Sequence, residues 1–269
     1  MKRVMKMGWI AVCAAVLGTA QLWGAAAAPA APKGGGNDAE LLKMIRTAMS
    51  SRVMIMKAVK GYMYAGNHVA TTKAQKEMVE SLKKFDAKQQ KLQEAFTDPK
   101  IKNLMTFIQM NEEELKDLLK EPYSLENAEV IIDLGEAISE GEKKIGDTLR
   151  KRLSGNYPAA KGQRYYVAQV ALYYMAYQAG IKDENTIRKM ERIVKTLDQL
   201  IKEAKAYPGN TVKMNQVINQ IEKLWKVVNQ FYLDIDEGGL PLIVYQTTDK
   251  LDKKFFQYAQ LLNESLKKK

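Results

Sequence analysis

Apolar residues recur every three or four positions along nearly all of the chain after residue 37, the spacing that lays one apolar stripe along a helix. Met78, Leu82, Phe85, Leu92 and Phe96 follow it through 71–96, and Val130, Leu134, Ile138, Ile145 and Leu149 through 124–153. Start and stop residues divide the pattern into eight helices, at 38–66, 71–96, 99–120, 124–153, 159–180, 184–207, 211–236 and 241–267. Asn37 is placed to cap the first of them, and Asp98 precedes a proline at the first helical position of the third. Pro122 stops the third helix, and the run Ser154-Gly155-Asn156-Tyr157-Pro158 separates the fourth from the fifth. No alternating segment bounded by turn residues argues for a strand. The expected fold class is all-α.

The second four segments echo the first four. One constant shift lays Met78 on Met190, Leu82 on Val194, Phe85 on Leu197 and Asp86 on Asp198. A shift longer by a single position lays Ile101 on Met214, Leu104 on Val217, Ile108 on Ile221, Leu115 on Val228 and Leu118 on Phe231. Segment order, length and offset agree together, which predicts two tandem four-helix-bundle units of long antiparallel helices, residues 38–153 and 154–269.

The beginning of the chain follows a different logic. Lys2, Arg3 and Lys6 precede an apolar run from Gly8 to Ala20, and small residues follow from Ala25 to Ala31. This is the pattern of a secretory signal peptide over residues 1–30, with 31–37 as a flexible leader and an uncleaved anchor as the competing reading. A periplasmic location is therefore expected. Cys13, the sole cysteine, lies within the apolar run, so neither a disulfide framework nor a multi-thiolate metal site is available.

The formal charge is +11, to which Lys2, Arg3 and Lys6 contribute. Lysines alternate with acids over residues 112–120 and 140–144, the mark of a solvated helix face, and no nucleic-acid motif accompanies them. His68 is the only histidine and lies beside Gly66 and Asn67, in an expected loop. Glu112, Glu113 and Glu114 do not form the Glu-x-x-His pattern of di-iron bundles. There is no nucleophile–base pair and no phosphate-binding glycine loop, so a non-catalytic protein without cofactor or metal is expected.

Two arginines break the apolar stripes. At about 100° per residue, Leu41, Ile45, Ala48, Met56, Val59 and Met63 share the face of Arg52. Ala160, Ala168, Ala171 and Met175 share the face of Arg164, and the shift that lays Met78 on Met190 also lays Arg52 on Arg164. A guanidinium buried without a partner costs several kcal/mol, so each must meet an anion or reach water. Three readings follow. One is an internal salt bridge, to Asp133 or Glu136 in the first unit and to Asp249 or Asp252 in the second. Another is a bound anion held by the guanidinium fork. In a homodimer, the arginine would face a partner helix.

Ala48, Arg52, Lys60 and Tyr62, with Lys57 retaining charge between them, resemble the signature AG-x-QRMLSQR-x-x-K-x-Y of the PilJ-type domain. That domain is the N-terminal sensor of type IV pili methyl-accepting chemotaxis transducers. In the second unit Gln163, Arg164 and Tyr174 match the signature, whereas Gln169 and Leu172 replace its second arginine and its lysine. Trp225 also resembles a family tryptophan, and equally suits a core aromatic.

The resemblance implies an extracytoplasmic sensor bundle that binds a small anion through Arg52, Lys57, Lys60, Gln163 and Arg164. Unlike in the receptors, no membrane helix or signalling segment is expected after the bundle, up to Lys269. The expectation is an exported binding protein that recognises a small anionic solute or presents it to a membrane chemoreceptor or sensor kinase. The competing expectation is a structural or adaptor bundle that binds another envelope protein.

Two further clusters have competing explanations. Tyr157, Tyr165, Tyr166, Tyr173, Tyr174 and Tyr177 suit a ligand box, a protein interface or simple packing with wet hydroxyls. Met44, Met49, Met54, Met56 and Met63 suit an adaptable packing surface or a soft-metal site.

Overall fold

A computed structural model describes residues 36–155, 162–236 and 239–267. The predicted signal peptide and most of the leader fall outside them. Among the described residues there are eight helices and no strand: α1 Gly36–Gly66, α2 Thr71–Ala95, α3 Pro99–Leu118, α4 Leu125–Arg150, α5 Gln163–Ala179, α6 Glu184–Ala206, α7 Val212–Leu233 and α8 Pro241–Lys267.

Side-chain caps set four of the starts. Asp98 accepts from the backbone N–H groups of Lys100 and Ile101, Ser124 from Asn127, Asp183 from Thr186 and Thr211 from Met214. Pro99 occupies the first turn of α3, where a missing N–H costs nothing. Gly180 ends α5 with φ +113°, a left-handed cap that suits glycine. Asn37 differs from its expected role, because α1 begins one residue earlier at Gly36 and Asn37 is a helical residue.

Within the first set, α1 packs on α2 and α4, and α4 on α3. Within the second, α5 packs on α6 and α8, and α8 on α7. The sets meet along α1 and α5, and one apolar cluster draws residues from all eight helices. The described residues thus fall within one compact unit.

The composition of the two central helices explains their place. From Val167 to Tyr177 every residue of α5 is buried, as expected for a helix apolar nearly all round. On α1 the buried set Leu41, Ile45, Ala48, Met56, Val59 and Met63 is the predicted stripe around Arg52. Met44, Met54, Met56 and Met63 of α1 are buried and Met49 is partly buried, so they serve as packing residues. Among the described residues, no helix is long and apolar enough to cross a membrane.

Candidate functional site

The five nominated residues divide into three local environments. Arg164, near the start of α5, points its fork at Asp252 of α8: Nε donates to Oδ1 at 2.7 Å and Nη2 to Oδ2 at 3.0 Å. Asp252 is only 4% exposed and also takes the Lys57 ammonium at 2.8 Å. Burial alone would raise the Asp252 pKa, but the Arg164 hydrogen bonds and the Lys57 charge hold it below the usual carboxylate range. The internal-carboxylate reading therefore describes Arg164, with Asp252 rather than Asp249 as the partner. Asp249 instead pairs with Lys73 and Lys253.

Lys57 and Lys60 converge on a second acid, Glu77 of α2, which nothing in the sequence pattern singles out. Lys60 reaches it at 2.9 Å and Lys57 at 3.5 Å, and the Tyr245 hydroxyl of α8 donates to it at 2.9 Å. Burial would lower the pKa of Lys57, yet Asp252 and Glu77 outweigh that and hold it above its ordinary value. Lys60 is 2% exposed. Both lysines thus belong to an internal network rather than to an open anion site. Gln163 begins α5 as a buried residue and makes no hydrogen bond with Arg164, Asp252 or Lys57.

Arg52 stands apart from these. Its Nε donates to Ser139 Oγ of α4 at 3.2 Å, and its guanidinium carbon lies 4.0 Å from the centroid of the Tyr165 ring on α5. Neither acid expected to reach it does so. Glu136 is taken by Lys189, Gln169 and Tyr173, and Asp133 is exposed on the outer side of α4. Among the described residues no carboxylate lies within ion-pair distance of Arg52, which remains partly exposed.

One turn along α4 from Ser139 lies Glu142, fully buried, with Gln89 Nε2 donating to its Oε1 and no hydrogen-bond partner at Oε2 among the described residues. Burial pushes its pKa up to about 8, against the Gln89 hydrogen bond and the charges of Arg52 and Lys88, with Glu112 adding to the rise. At neutral pH Glu142 is a neutral acid and does not compete for Arg52.

Register links the two arginines. Arg52 and Arg164 are related by the shift that relates the two halves, and the acceptors of their Nε groups, Ser139 and Asp252, by that shift plus a single position. That offset leads back to Ser139 once Asp252 is known as the partner of Arg164. Tyr165, which carries Arg52, stands out in the sequence only as one of a tyrosine group. Tyr157 lies outside the described residues, and three others of the group serve the packing: Tyr173 bonds to Glu136, Tyr177 to Asp236, and Tyr174 accepts from the Leu240 N–H. Trp225 is buried and donates its indole N–H to Asp198 at 2.5 Å, which suits a core aromatic. No protein-family model matches the chain, and neither the curated proteins nor the solved structures contain a match.

Proposed function

We propose that the protein is a non-catalytic, sensor-like binding protein that takes a small anionic solute at Arg52. The observation that carries this is the inequality of the two arginines: Arg164 is closed by Asp252, whereas Arg52, in the corresponding place, has a serine and an aromatic face. A guanidinium with donors to spare, partly dehydrated and fixed against a ring, is a pre-organised anion receptor. The resemblance of the segment around Arg52 to PilJ-type sensors supports the same reading. The leader-like start of the chain supports export to the periplasm, where such a protein would present its solute to a membrane chemoreceptor or sensor kinase. Lys57, Lys60 and Arg164 act in this reading as the internal frame that fixes α1 against α2 and α8.

A thermal-shift panel of small anions on the exported chain tests it. A ligand at about one hundred times its Kd adds ~2.7 kcal/mol of stability, a rise of several degrees that Arg52→Met should abolish while leaving the fold intact. A specific observation favours the adaptor reading: Leu233, Leu240, Leu242 and Ile243 are exposed around the α7–α8 connection, where an envelope protein could dock. A melt unmoved by every anion would favour that alternative.

A further inference from the structure

We infer that the anion taken at Arg52 is a carboxylate, because the second half of the chain already holds one in the corresponding place. The inference rests on the Arg52 reading above and names its ligand class. Arg164 and Asp252 form a fork-on-carboxylate pair, with two parallel N–H···O contacts of 2.7 and 3.0 Å to the two oxygens of one planar group. Arg52 directs the same Nε to the residue 87 positions later as Arg164 does to the residue 88 positions later. The acceptor there is Ser139, which supplies a single hydroxyl oxygen and is 1% exposed.

A serine at this register fulfils one donor, the Tyr165 hydroxyl lies beside the guanidinium, and no carboxylate among the described residues pairs with the rest of the fork. The charge around the two forks differs in the same sense. Lys57 adds a second cation to Asp252, and the residue at its register in the other half is neutral Gln169, turned to Glu136. One arginine opposite one carboxylate balances in charge, so a monoanionic carboxylate suits Arg52 better than a dianion such as phosphate. Tyr165 covers one face of the guanidinium, and Arg52 is partly exposed.

The test measures binding to the full chain by calorimetry and thermal shift, with acetate, propionate, nitrate and phosphate at matched ionic strength against chloride. Acetate or propionate should bind and raise the melting temperature, and nitrate and phosphate should do no more than chloride. Ser139→Asp, which supplies the missing carboxylate internally, should abolish that binding and raise the melting temperature of the unliganded protein. Arg52→Lys keeps the charge but removes the fork, and should weaken carboxylate binding at least about tenfold, a readout independent of whether Ser139→Asp folds. Binding of nitrate or phosphate without either carboxylate would overturn the ligand class and leave the Arg52 anion site standing. Absence of binding by all four would overturn both. Carboxylate binding unchanged in Ser139→Asp or Arg52→Lys would place the ligand elsewhere and end the inference.

Discussion

Glu77 on α2 and Lys189 on α6 occupy the same register in the two halves of the chain and carry opposite charges. Each closes a network across the central helices. Glu77 draws in Lys57 and Lys60 of α1 and Tyr245 of α8. Lys189 reaches Glu136 of α4 at 2.7 Å and lies 5.4 Å from the Tyr173 ring of α5. The inversion is chemically consistent, because the positive charge of the adjoining central helix is lost in the second half. Lys60 on α1 has Leu172 at its register on α5, so the positive charge is supplied by the outer helix in the second half and by the inner helix in the first.

From this follows the effect of Glu77→Gln. The change leaves Lys60, at 2% exposure, with no full negative charge beside it and removes one of two anions from Lys57. Breaking a buried pair by removing one partner costs about 3–5 kcal/mol, measurable as a lower urea midpoint. The pH dependence has a definite sign. Burial would raise the Glu77 pKa, but Lys60 and Lys57 hold it below the ordinary value, so the folded state favours the ionised form. Its contribution is fully present above the unfolded pKa and disappears as pH falls through the lower folded one. Glu77→Gln should therefore cost most at neutral pH and progressively less on acidification. A cost independent of pH would show that the ion pairs are not what is lost.

Glu142 predicts the opposite trend. Its folded pKa of about 8 lies above the unfolded value, so the native state holds a proton that the unfolded state releases. Between the unfolded value and about pH 8 this group lowers stability as pH rises, by up to about 1.4 kcal/mol per pH unit. Glu142→Gln removes the dependence and preserves shape. Urea titrations should give equal stabilities near pH 4.5 and an advantage for Glu142→Gln that grows to pH 8 and then levels. Parallel curves for the two proteins would refute the assignment of a neutral buried acid.

Asp252 and Arg164 differ in what each leaves behind. Asp252→Ala strips the carboxylate from both Arg164 and Lys57 and should cost about 3–5 kcal/mol. Arg164→Met leaves Asp252 paired with Lys57 at 2.8 Å, and Arg164 is itself 22% exposed, so its loss should be smaller. Denaturation midpoints of the two single variants and of the double variant give the order directly. Equal costs would mean that Lys57 contributes nothing to holding Asp252.

The helices are legible in the sequence because capping and periodicity are local. Asp98 before Pro99 marks a start that the structure keeps, α7 begins at Val212 with the expected first residue Thr211 as its cap, and α8 spans the predicted residues. The expected end of α4 reaches too far toward the linker, since an apolar period continues beyond the last residue that packing holds in a helix, and the expected start of α5 at 159 lies outside the described residues. The charged partners are less legible, because a period says which face a residue occupies but not which helix it meets. The sequence offers Asp252 as one of two candidates for Arg164. It hides Glu77 among the many acids of a lysine-rich helix, and Ser139 because a serine on a helix is ordinary. What distinguishes both is their position relative to the central helices, which the pairing of α1 with α2, α4 and α5 creates.

Glycines give a last test, of how closely the helices approach. A Cβ at Gly61 would lie 2.7 Å from the backbone oxygen of Ala74 and 3.0 Å from Met78 Cβ, so α1 and α2 touch backbone to backbone there. Gly61→Ala must push the helices apart, and overpacking of this kind costs about 1–3 kcal/mol. At Gly146 on α4 an added methyl would meet only the side chain of Met49, most closely its terminal methyl, the far end of a flexible chain that can rotate away. Helix propensity there favours alanine by about 1 kcal/mol, so Gly146→Ala should be neutral or slightly stabilising. Thermal melts should show a fall at Gly61→Ala and none at Gly146→Ala. A fall at Gly146 as large as at Gly61 would show that α4 is held against α1 as tightly as α2 is, leaving Met49 no room to yield.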